Sequence, residues 1–195
     1  MIVLMSAFLL LSAFSCGGGN KANSTSEQSE ETAVNVPQFD ADSAYLYVKN
    51  QVDFGPRVPN TKEHVACGNY LAGQLEAFGA QVTNQYADLI AYDGTLLKAR
   101  NIIGSYKPES KKRIALFAHW DTRPWADNDP DEKNHNTPIL GANDGASGVG
   151  ALLEIARLVN QQQPELGIDI ILLDAEDYGA PQFYTGQHKE EFWCL

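Results

Sequence analysis

The chain has 195 residues, 44% of them hydrophobic, with 14 basic and 25 acidic side chains and a formal net charge of −11 at pH 7. This length fits one domain with a tail, and the apolar content excludes a chain disordered throughout. The acidic balance argues against a nucleic-acid-binding surface, which needs a basic patch, and three cysteines are too few for a small disulfide scaffold.

Ile2 to Phe14 is apolar apart from Ser6 and Ser12. The stretch is short for a membrane span and right for the core of a signal peptide, although no Lys or Arg precedes it. One small residue, Ser15, then leads to Cys16 and a glycine run. This junction resembles the bacterial lipoprotein signal, so residues 1–15 read as a signal peptide and Cys16 as the lipidated first residue of the mature protein. An ordinary secretory signal with an incidental cysteine is the alternative. Residues 16–38 are Gly, Asn, Ser, Thr, Glu and Gln with few aliphatic side chains, and read as a disordered tether. No acidic cluster follows Cys16, so the expected location is the periplasmic side of the cell envelope, with membrane contact only through the lipid.

The folded part is expected over 39–195. Ser43 to Val52 reads as a helix capped by Asp42 or Ser43. Phe54-Gly55-Pro56-Arg57-Val58-Pro59 is a rigid turn. Thr61 to Phe78 reads as a longer helix, with Val65, Tyr70, Leu71, Leu75 and Phe78 at helical spacing and Gly79 ending it. Gln81 to Ala91 and Thr95 to Ser105 read as a hairpin around Asp93-Gly94. Arg113 to His119 suits a buried central strand. Trp120 to Gly141 is a polar loop long enough to be functional. Asp144 to Asn160 is a helix with a wide apolar face, and Ile168 to Leu173 a second buried strand. The order predicts an α/β fold with a mixed, mostly parallel sheet sandwiched by helices.

Three segments bring chemistry to one place: Phe117 to Asp121 at the end of a strand, Gly141 to Gly148 entering a helix, and Leu172 to Asp177 at the end of the next strand. Ligands of open α/β sheets bind outside the carboxyl ends of the strands. Converging carboxylates repel one another, and a divalent cation relieves that; carboxylate and His ligation with a free position is the pattern of catalytic zinc. Of two adjacent acids such as Glu176 and Asp177, one is free to bind metal and the other to move protons. Taken singly, each feature has a plainer reading: His119 as a hydrogen-bonded structural residue, Asp144 as a helix cap, Glu176-Asp177 as a solvated loop. The glycine-rich segment lacks the Lys-Ser/Thr of a phosphate-binding loop.

His119-x-Asp121, Gly-Ala-Asn-Asp-Gly-Ala-Ser-Gly and Asp-Ala-Glu-Asp resemble the zinc aminopeptidase superfamily. The wider wording, Phe54 to Pro59, His119 to Asp127 and Pro138 to Asp144, resembles glutaminyl-peptide cyclotransferases of the animal type in their bacterial form. The resemblance implies one zinc ion and conversion of the N-terminal glutamine of peptides or proteins to pyroglutamate with release of ammonia. It implies Asp144 and Asp177 as zinc ligands and Glu176 as the proton carrier, with His119, Asp121 and Trp125 lining the site and His119 off the metal. Asp177 stands where the animal enzymes have a glutamate. Ala118 replaces a cysteine of the animal form, so that disulfide is absent. The third ligand, a His, is expected from a later part of the family domain, so the chain reads as C-terminally truncated and inactive alone. Cys67 and Cys194 are open to pairing. The alternatives are a zinc aminopeptidase on the same scaffold, with two metals bridged by Asp144 and His119 bound to one, and a lipid-anchored binding protein without catalysis.

Overall fold

The computed structural model describes residues 35–186. The expected signal peptide, Cys16, most of the tether and Cys194 lie outside the described residues.

Helix α1 spans Ala41–Val52. It starts two residues ahead of the sequence expectation because Asp40, not Asp42 or Ser43, is the cap: its carboxylate accepts from the N–H groups of Asp42 and Ser43. Helix α2 spans Lys62–Ala77, capped by Thr61, whose hydroxyl accepts from the His64 N–H. It ends where Gly79 takes φ +79°, a conformation that favours glycine. The buried stripe of α2 is His64, Cys67, Leu71 and Leu75, whereas Val65, expected inside, is exposed. The other four expected positions hold, with Leu71 and Leu75 fully buried and Tyr70 and Phe78 packed against the core; in the first turn the buried place goes to His64, a polar residue that apolar periodicity does not count.

Strands β1 (Gln81–Ile90) and β2 (Leu96–Tyr106) form the expected antiparallel hairpin, with Asp93-Gly94 in the turn. Strand β3 (Arg113–His119) is joined to β4 (Gly167–Leu173) through α3 (Ala146–Gln161). The sheet order is β1-β2-β4-β3. β2 pairs antiparallel with β4, and β3 pairs parallel with β4, so the sheet is mixed as expected, but among the described residues two of its three pairings are antiparallel and it is not mostly parallel.

β3 is therefore an edge strand among the described residues, not the central strand its apolar run suggests; Ile114 and Phe117 are exposed. Centrality depends on which strands flank a segment, and the segment's own composition does not encode that. The main core lies between one sheet face and the helices. Ile102, Tyr106, Ile168, Ile170 and Leu172 from the sheet meet Leu71 and Leu75 of α2 and Val149, Leu153 and Ala156 of α3. A smaller cluster of Ala91, Leu97, Ala99 and Ala175 forms apart from it.

Candidate metal centre

Parallel pairing of β3 with β4 sets His119 beside Leu173, so both strands end at the same edge of the sheet. The Trp120 N–H continues the ladder to the Leu173 carbonyl at 3.0 Å. α3 begins at that edge. Its N-cap position is Gly145, which makes no side-chain cap bond. Asp144 is thus not a capping residue; its Oδ1 accepts from His119 Nε2 at 2.9 Å. The Asp144–Gly145 peptide is cis. A Cβ on residue 145 would lie 2.4 Å from the His119 carbonyl oxygen and 2.9 Å from its ring, so the approach of α3 to β3 requires glycine here.

His119, Asp144 and Asp177 each present one ligand atom, and these atoms all lie within 4.8 Å of one another. Around them sit two more acids. Asp121 is fully buried; its Oδ2 accepts from the Asp177 N–H at 3.0 Å, and its Oδ1 faces His119 Nδ1 at 3.5 Å. Glu176 Oε2 lies 3.6 Å from the same nitrogen. Asp121 Oδ1, Asp177 Oδ2 and His119 Nδ1 are buried without a hydrogen-bond partner.

The electrostatics record surplus negative charge. The facing Asp121 carboxylate, followed by Glu176 and Asp144, pushes the His119 imidazole up to about 9 against the opposing effect of burial. Burial, then Asp121 and Asp144, pushes the Asp177 carboxyl up to about 6. Buried acceptors without donors, an imidazole drawn towards its cation and a carboxyl drawn towards its acid are what a site built for an added positive charge shows without it. The donor set, one nitrogen and two carboxylate oxygens, fits zinc.

The expected site residues His119, Asp121, Asp144, Glu176 and Asp177 are thus brought together. Trp125 lies beside them: with Arg123, Ile139 and Asp144 it lines a cavity of about 270 Å³, and its ring packs on Tyr178 at 5.2 Å. Apolar periodicity does not reveal the groups that hold these residues. Fully buried Arg57 donates to the Leu140 and Gly141 carbonyls and so fixes the approach to Asp144. Arg123 is held by the Asp127 carboxylate at 2.7 and 2.6 Å and donates to the Asp177 carbonyl at 3.3 Å. Both arginines stand inside the motifs already quoted, which is the one signal that could have found them.

The fold and the site point to a class of protein, and the chain is similar to peptidase family M28, whose model matches residues 101–192. More particularly, it is similar to bacterial glutaminyl cyclases. A glutaminyl cyclase of Bacteroides thetaiotaomicron, solved bound to N-acetylhistamine, is 94% identical with TM-score 0.81, over 83% of this chain and 55% of that one. A structure described as a leucine aminopeptidase precursor from the same organism, strain VPI-5482, is also 94% identical with TM-score 0.81, over 83% of this chain and 56% of that one. A Zn-dependent exopeptidase from Parabacteroides distasonis is 62% identical with TM-score 0.80, over 82% and 55% of the two chains. Among curated proteins, YfbL of Escherichia coli K12 is 35% identical over 59% of this chain and 32% of its own length. The chain thus spans little more than half of these solved structures and about a third of that curated relative.

Proposed function

We propose that the chain is part of a zinc-dependent glutaminyl-peptide cyclotransferase, which closes the N-terminal glutamine of peptides to pyroglutamate with loss of ammonia. One observation carries this reading: Asp144, Asp177 and His119 gather at a shared strand edge with Glu176 alongside, in a chain 94% identical over the shared part to a glutaminyl cyclase. Asp144 and Asp177 would hold one zinc ion. When bound, zinc supplies Lewis-acid polarisation of the side-chain amide carbonyl.

The chain's own residues do the rest. Glu176 takes a proton from the attacking α-amine and returns it to the departing ammonia. Its side chain is 43% exposed, within reach of an entering substrate. Asp121 fixes the Asp177 backbone, and Trp125 offers an aromatic wall beside Asp144. Location in the cell envelope through a lipid on Cys16 accords with the N-terminal sequence. In a protein of the relatives' length, Glu176→Gln is expected to lower the rate of ammonia release from a Gln-peptide by about 10²–10⁴-fold with zinc content unchanged. A wild-type rate would overturn the assignment.

The position of His119 favours a second reading. Its Nε2 lies among the potential ligands, as a zinc aminopeptidase with two metals would require. Metal content per chain, and release of an amino acid in place of ammonia, separate the two.

A further inference from the structure

The loop carrying Glu176 and Asp177 is held from behind by a residue remote in sequence. Asp174, the first residue after β4, is 5% exposed. Both its carboxylate oxygens accept from His64 Nε2, at 2.9 and 2.8 Å. The same carboxylate accepts from the backbone N–H of Arg100 on β2 at 2.6 Å and from that of Ala175 at 2.8 Å. The Asp174 N–H donates to Asn101 Oδ1 at 2.9 Å. The chain then turns through Ala175 at φ +64° and delivers Glu176 and Asp177 to the site.

His64 also reaches the other strand end. Its ring stacks on Trp120, with centroids 4.3 Å apart and planes at 18°. Trp120 is fully buried, stands between His119 and Asp121, and donates its indole N–H to the Arg100 carbonyl at 3.2 Å. One side chain of the first turn of α2 therefore touches the residue after β4 and the residue between two site groups after β3.

We propose that His64 is a positioning residue: through Asp174 and Trp120 it sets the spacing between the strand end bearing Glu176 and Asp177 and the strand end bearing His119 and Asp121. The proposal rests on the metal-site reading and deepens it. Without His64, a buried carboxylate loses its side-chain donor. Its relief is to move towards water, and Asp174 cannot move without its covalent neighbours up to Asp177. A histidine that merely satisfied the core would stabilise the fold and leave the ligands where they are.

The test measures binding of zinc by calorimetry, and the absorption spectrum of the cobalt(II) form, on the full chain. Asp177→Asn, His64→Phe and His64→Gln are compared with the parent, each with its melting temperature. Asp177→Asn is expected to weaken zinc at least tenfold; parent-like binding there would remove the metal-site reading and this proposal with it. His64→Phe keeps the stack on Trp120 and loses the donor. It is expected to weaken zinc about 10- to 100-fold, the range for residues that orient ligands, and to shift the cobalt spectrum. His64→Gln, with an amide donor in place of Nε2, is expected to recover most of that loss. A folded His64→Phe with parent affinity and parent spectrum, even if it melts lower, overturns the positioning role while leaving the metal site standing. If His64→Phe does not fold, Asp174→Asn replaces it under the same two criteria.

Discussion

Asp144 shows how a residue can forgo a local role for a distant one. An aspartate entering a helix ordinarily caps it, which is worth about 1 kcal/mol. Here α3 has no side-chain cap, and the carboxylate is turned to His119. Polar residues are held in two ways around this site. His119, Asp144 and Asp177 face one another, while Arg57, His64 and Asp174 are buried and bonded beneath them. Cys67 belongs to neither group. It is fully buried in the main core, and burial pushes its thiol up to about 12. Because the thiolate is the reactive form, the reduced native chain at pH 8 is expected to take up iodoacetamide at Cys67 far more slowly than in denaturant. Peptide mass mapping reads this, and equal rates would show that the native thiol is accessible.

At the scale of elements, α3 is the beam between β3 and β4. Its Leu153 is fully buried against the sheet. Leu153→Ala is expected to cost about 2–5 kcal/mol, read as a drop in denaturant midpoint at constant slope; a loss below about 1 kcal/mol would mean that the core collapses around the gap. The existence and type of these elements were legible because apolar runs and their punctuation mark them: the limits of β3 are those its sequence suggests, and Asp93-Gly94 marks its hairpin. The place of β3 at the edge of the sheet formed by the described residues was not, since pairing partners lie elsewhere in the chain. In α2 only the first turn was misread, where His64 and not Val65 is buried, because His64 is polar and counts against burial. The site followed the same division. His119, Asp121, Asp144, Glu176 and Asp177 stand in motifs whose chemistry can be argued from residue type. Their supports do not: a buried arginine or histidine has the same letter as an exposed one.

For the whole molecule, the charge of −11 and the acids crowded at one strand edge act together. In the metal-free protein, His119 and Asp177 hold their protons more tightly folded than unfolded. A raised value contributes stability at low pH that is lost as pH climbs through the folded value. For Asp177 that window runs from 3.8 to about 6, and for His119 from 6.5 to about 9. In chelator, the melting temperature is therefore expected to fall between pH 6.5 and 9. Zinc held by Asp144 and Asp177 would favour a neutral His119 beside it, so its stabilising effect is expected to grow over the same interval. A melting temperature that rises with pH in chelator would contradict this account.

The parallel register of β3 with β4 also bears on how the protein is made. Asp177 follows His119 by 58 residues, and β3 meets β4 only after the intervening helix has been wound across them. During synthesis the early site residue leaves the ribosome long before its counterpart exists, and closing so distant a contact is slow. The gathering of His119, Asp144 and Asp177 is accordingly a late event in maturation, and an ion held between Asp144 and Asp177 would certify that the strand crossover has been completed.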